Sequence, residues 1–209
     1  MQSVQVKFDY PAKLSRGILL LRTFFGAIYV GIPHMFCLFF VSIAAGFVSF
    51  LSWWAVLFTG KYPRSFFDFM VGYHDWTLRV SAYMAMLTDQ YPEFGLKADY
   101  PAKFTVACPE KLSRGLLLLR TFFGSIYVMI PHMFCLYFRL IGYTFVAFVA
   151  WWAILFTGKM PESMFSYISG TYRWQMRVNA YILFLTDEYP PFSGKDGAGG
   201  VAAGTGVPA

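Results

Sequence analysis

The chain has 209 residues, of which 57% are apolar, 21% aromatic and only 13% charged. That charged share is about half of the roughly 25% usual in soluble domains. With a mean hydropathy of +0.51, it excludes a disordered chain, a nucleic-acid module and almost any water-soluble enzyme. The composition is that of a membrane protein, and the excess of 17 Lys and Arg over 11 Asp and Glu points to anionic lipid headgroups rather than nucleic acid.

The first segment, VQVKFDYP (4–11), alternates apolar and polar residues and predicts a short extended arm; FTVACP (104–109) is a weaker counterpart. Residues 16–32 form a continuous apolar helix signal that ends at Ile32-Pro33-His34, because a proline biases its predecessor out of the helical region. A second apolar run from Met35 to Phe58 closes at Thr59-Gly60, a glycine stop, and Pro63 opens a third helix. At 1.5 Å per residue the first run reaches roughly 25 Å and the stretch Met35 to Trp53 roughly 27 Å, each near a hydrocarbon thickness of about 30 Å. The expectation is a transmembrane hairpin turning at Pro33-His34. Lys13 and Arg16 precede it, Lys61 and Arg64 follow it, and its far turn has no Lys or Arg, so the positive-inside rule puts both ends of the hairpin in the cytoplasm.

The third helix places Phe66, Phe69, Met70, Tyr73, Trp76, Val80, Tyr83, Met84 and Leu87 at three- and four-residue steps, with Asp68, Asp75 and Arg79 on the other face. Charges in the middle of the segment make a crossing costly, so it is expected to lie flat in the headgroup region; packing over its own hairpin is the alternative.

The whole pattern occurs twice. LSRGILLLRTFFGAIYVGIPHMFCLFF at 14–40 returns at 112–138, an offset of 98 that also relates WWAVLFTGKYP (53–63) to WWAILFTGKMP and LTDQYPEF (87–94) to LTDEYPPF. The predicted division is a first membrane repeat at 1–94, a linker at 95–107, a second repeat at 108–193 and a disordered Gly/Ala-rich tail at 194–209. The fold class read from this is an all-α integral membrane protein: a tandem duplication of a transmembrane helical hairpin plus an interfacial amphipathic helix, with short extended arms.

Several residues are candidates for lipid or partner contacts. Arg22 and Arg120 lie six residues inside Arg16 and Arg114, where snorkelling to the headgroups is the preferred reading and a bundle-facing site for a phosphate, carboxylate or carbonyl the alternative. Arg139 replaces Val41, lies deep in the second hairpin and needs a partner. Trp53, Trp54, Trp151 and Trp152 fit an interfacial belt. His34 and His132 share the context IPHMFC with Cys37 and Cys135, two metal ligands per copy and therefore an incomplete set; a histidine at a proline turn more often bonds carbonyls or headgroups. Asp89 and Asp187 in LTDxYP fall at a helix end, where a capping or turn role is expected. No nucleophile set, phosphate loop or pair of intramembrane carboxylates is present, and no cofactor is implied.

The phrases LFTGKYPRSFFDFMVG, WTLRVSAYMAMLTDQYPEF and YILFLTDEYPPF resemble an uncharacterised bacterial membrane family, domain of unknown function 4389. The resemblance covers residues 10–94 and 108–192, departs mildly at Glu93 where the pattern prefers proline, and implies a cytoplasmic-membrane protein built of repeated modules with no assigned reaction. The function expected is a non-enzymatic membrane scaffold or accessory subunit that binds partner helices of other membrane subunits and anionic lipids. The alternative is lipid or small-anion handling through the intramembrane arginines.

Overall fold

The computed structural model describes residues 3–195, so most of the tail predicted at 194–209 lies outside the described residues. The first copy contains β1 (Val4–Phe8), α1 (Arg16–Gly26), a π-helical turn (Ala27–Gly31), α2 (Ile32–Thr59) and α3 (Arg64–Met84). The second contains β2 (Ala102–Val106), α4 (Arg114–Gly124), a π-helical turn (Ser125–Met129), α5 (Ile130–Thr157) and α6 (Glu162–Ile182).

The predicted hairpin does not form. α1, the π turn and α2 run on as one helix of 44 residues, Arg16–Thr59, and Arg114–Thr157 repeats it. Each is long and apolar enough to cross a membrane. The reason is local: Ile32 stays helical at φ −57° and ψ −56°, and its amide bonds the Ala27 carbonyl, five residues back. In an α-helix the Tyr29 carbonyl would accept from residue 33, but proline has no amide hydrogen and its ring would press on that carbonyl. The wider π turn relieves the clash, and the Tyr91 hydroxyl donates to the Tyr29 oxygen at 3.1 Å. Tyr189 serves Tyr127 in the same way at 3.1 Å. Without a hairpin, the chain does not return to its starting face at Trp53.

The glycine stop does form. Gly60 and Gly158 cap the long helices at φ 71° and 70°, the left-handed region glycine enters without steric cost. Their carbonyls accept from Leu112 and Leu14 of the opposite copy. Arg16 donates to the Phe156 carbonyl and Arg114 to that of Phe58, placing a cation at each partner helix's C-terminus. Trp53 donates to the Thr121 hydroxyl at 2.8 Å and Trp151 to Thr23 at 2.9 Å. These pairs run in opposite directions, so the two long helices are antiparallel and meet near their ends.

β1 and β2 pair antiparallel, with Val6 opposite Phe104, the equivalent positions of the two copies. A pseudo-twofold axis therefore passes through that pair. The strand β2 lies inside the stretch predicted as linker, and each strand is exchanged: β2 packs on α3 of the first copy and β1 on α6 of the second. α3 in turn packs on α2, and α6 on α5, giving three layers of long helices, short helices and ribbon.

α3 and α6 are not interfacial helices lying on lipid. α3 buries Phe67, Met70, Trp76, Leu78 and Tyr83, and also Asp75 and Arg79, between the other two layers, and α6 likewise buries Phe165, Ile168, Trp174 and Tyr181 with Arg173 and Arg177, which is the packed alternative. The Asp75 carboxylate accepts from the Phe104 amide at 2.8 Å and lies 3.2 Å from Arg79. Its equivalent, Arg173, donates instead to the Val6 carbonyl at 3.0 Å. Gly72 lets the chain cross α3 closely, since a Cβ there would meet the Leu96 carbonyl at 2.7 Å.

His74 is buried beside the Phe104 ring, and burial pushes its imidazole down from 6.5 to about 4. Between those values the unfolded chain takes up a proton here and the folded chain does not, so stability is lost as pH falls through that window and this group adds nothing further below it. The loss between pH 7 and pH 5 is about 2 kcal/mol. Thermal unfolding of His74→Phe should be less pH-dependent than the parent by that amount; parallel profiles would contradict the assignment.

Candidate functional site

At the π turn, each copy assembles one cluster from the long helix, the short helix and the LTDxYP segment. α3 ends in a turn in which the Met86 amide bonds the Tyr83 carbonyl and the Leu87 amide bonds that of Ala82, with Met86 at φ 63°. Phe184 repeats this at φ 61°. Non-glycine residues in the left-handed region are uncommon, and here they swing Thr88 and Asp89 back toward α1.

Arg22, 4% exposed, donates from one nitrogen to the carbonyls of Tyr83 at 2.6 Å and Thr88 at 3.0 Å. Its guanidinium lies 4.9 Å from the centre of the Tyr83 ring, and a second nitrogen is 3.9 Å from Asp89. Arg120 is tighter: it bonds the carbonyls of Tyr181 and Thr186 at 2.8 and 2.7 Å and pairs directly with Asp187. Both cations sit at the C-terminus of a short helix, where the dipole favours them. Asp89 and Asp187 also accept from the amides of Ser15 and Ser113, the N-caps of α1 and α4. The capping role expected of the aspartates is present, at the start of a different helix. The snorkelling reading of Arg22 and Arg120 is overturned, because hydrogen bonds to carbonyls inside the protein are within reach and cost no exposure.

His34 and His132 are fully buried. The Trp76 indole donates to His34 Nδ1 at 3.0 Å, and Trp174 to His132 Nδ1 at 2.9 Å, so each neutral imidazole carries its proton on Nε2. Phe94 stacks on the His34 ring at 4.0 Å and Phe192 on His132 at 4.0 Å. The hydroxyls of Tyr29 and Tyr83 meet at 2.6 Å and close the cluster toward Arg22. The histidines thus bind indole and aromatic rings of this chain, not headgroups. Among the described residues no group of three or more His, Cys, Asp and Glu could hold a metal ion.

Arg139 stands outside this cluster, half-buried. It donates to the Thr171 hydroxyl at 2.9 Å and the Tyr167 carbonyl at 3.1 Å, and its guanidinium is 4.6 Å from the Tyr167 ring centre. In the first copy the equivalent residues are Val41, Tyr73 and Phe69, so the arginine came with its own partners. The tryptophans divide: Trp53 and Trp151 lock one copy to the other, while Trp54 and Trp152 remain on the exterior.

The model of a family described as a domain of unknown function (DUF4389) matches residues 21–95 and again 119–194. The chain belongs to this family. Comparison with curated proteins and with solved structures gives no match. Each DUF4389 match spans the cluster from Arg22 to Phe94 or from Arg120 to Phe192, and leaves out both strands. Tyr29, Trp76, Tyr83, Tyr91 and Phe94 were not among the sequence candidates. Their identical recurrence 98 residues on, at Tyr127, Trp174, Tyr181, Tyr189 and Phe192, was the signal available.

Arg120→Gln should lower stability in detergent by about 3 kcal/mol, since it removes a charged donor from the Tyr181 and Thr186 carbonyls and from Asp187 at once, whereas Asp187→Asn should cost about 1 kcal/mol. Equal losses would show that the ion pair, not the carbonyl bonds, holds the turn. Arg139→Val should cost less than about 1 kcal/mol, because the Tyr167 carbonyl still accepts from the Thr171 hydroxyl.

Proposed function

We propose that this protein is a non-catalytic module of the bacterial cytoplasmic membrane, a scaffold or accessory subunit that offers apolar helix surface to lipids and to helices of other membrane proteins. One observation carries this reading: the polar groups turn inward and the large apolar ones outward. Phe24 and Phe58, at the two ends of the first long helix, keep 70% and 69% of their surface exposed, and Ile32, Phe39, Phe47 and Phe50 are exposed between them. Contiguous apolar surface on this scale marks a membrane or protein interface. The basic residues around the helix ends suit anionic headgroups. The alternative of lipid or small-anion handling through Arg22, Arg120 and Arg139 loses support, since all three donate to groups of their own chain.

Burying one large aromatic is worth about 1.5 to 3 kcal/mol, so changing Phe39, Phe47 and Phe50 together to Ser should reduce membrane partitioning by at least about 100-fold. Arg139→Val should leave copurifying proteins and phospholipids unchanged. Fractionation between membrane and buffer checks the first, and mass spectrometry of everything retained in native nanodiscs checks the second. Parent-like fractionation of the triple variant would sink the proposal, and loss of phospholipid from Arg139→Val would restore the ligand-handling alternative.

A further inference from the structure

Resting on the membrane placement above, we propose that the two long helices lie in the plane of the membrane, sunk into one anionic leaflet, rather than crossing the bilayer. The first ground is length. A helix of 44 residues is about 66 Å long, more than twice the hydrocarbon thickness of about 30 Å. A spanning helix of that length would need polar exposed ends on either side of an apolar middle. Here the exposed apolar residues run from Leu20 to Phe58 with no such break, and the single charge from Gly17 to Thr59, Arg22, is buried.

The second ground is symmetry. Antiparallel helices exchanged by a twofold axis have that axis normal to their common plane, and the same axis passes through the Val6–Phe104 pair of the ribbon. The three layers therefore stack along it, with the ribbon over the middle of the long helices and beyond the short ones. Lys7 and Lys103, opposite each other in the ribbon, are exposed at that pole. In-plane helices put both lysines in water, whereas crossing helices would put them level with the bilayer centre, where lysine is costly.

The third ground is charge. Exposed Lys13, Arg16 and Lys159 gather at one end of the pair, and exposed Lys61, Lys111 and Arg114 at the other. A single crossing would bring one of these basic ends to the outer face against the positive-inside tendency; in-plane helices keep both at the same headgroup level. The termini of the described chain and the connector then share the cytoplasmic side.

The test uses the full chain in vesicles of phosphatidylethanolamine and phosphatidylglycerol, with Cys37, Cys108 and Cys135 changed to Ala and single spin labels introduced through Phe24→Cys, Phe39→Cys, Phe50→Cys and Lys7→Cys. Depth measured by collision with oxygen and with a water-soluble nickel complex should be the same for the three helix labels within about 5 Å, and the Lys7 label should be in water. Phe24 and Phe50 are roughly 39 Å apart along a straight helix, so a crossing would place them near opposite surfaces with Phe39 deep between. That result would overturn the in-plane arrangement and leave the membrane module intact. Failure of the chain to bind vesicles at all would overturn both. Replacing phosphatidylglycerol by phosphatidylcholine should weaken binding at least about tenfold; unchanged binding would overturn the assignment to an anionic surface.

Discussion

The structure depends on a guanidinium that ties the end of a short helix to the start of a long one. Where α3 ends in its amide-capped turn, Arg22 reaches from α1 and donates to the Tyr83 carbonyl, which the Met86 amide also reaches, and to the Thr88 carbonyl beyond the helix. One side chain thereby fixes the long helix to the end of the short one and sets the path of the LTDxYP segment. That path delivers Tyr91 to the Tyr29 carbonyl and Phe94 to the His34 ring. The π turn, the buried histidine and the proline are consistent only together: Pro33 leaves a carbonyl that Tyr91 satisfies, and Tyr91 is in position because Arg22 holds the turn before it.

The two copies are equivalent in this cluster and differ where they meet. A twofold arrangement with Asp at both 75 and 173 would set two carboxylates against one narrow ribbon. The chain has a carboxylate that accepts from the Phe104 amide and a guanidinium that donates to the Val6 carbonyl, so each buried charge finds a backbone group of the right polarity. Arg139 follows the same logic, arriving with Thr171 and Tyr167 where the first copy has Tyr73 and Phe69. Duplication supplied the frame, and divergence adjusted charges in matched sets.

Strand exchange and the end contacts of the long helices make the copies interdependent. Each strand covers the short helix of the other copy, and each glycine cap bonds the segment that opens the other copy's long helix. Much of the buried surface is therefore shared between copies, and the apolar surface left over is concentrated on the outward side of the long helices.

The duplication, the apolar character, the glycine stops and the amphipathic short helices were legible from the sequence, because periodicity and self-similarity are properties of the chain alone. The residues of the cluster were partly legible: Arg22, His34 and Asp89 stood out by charge in an apolar context, while Tyr29, Tyr83, Tyr91 and Phe94 did not, since tyrosine and phenylalanine are unremarkable in so aromatic a chain. Pro33 was misread as a turn because its local bias away from the helix is real, and only the hydroxyl of Tyr91, 58 residues on, shows how the helix passes through it. The aromatic face of α3 fitted lipid or protein equally well by pattern. Tertiary structure decided for protein, by laying an exchanged strand on one side and a long helix on the other, contacts between residues too far apart in the chain for any local pattern to record.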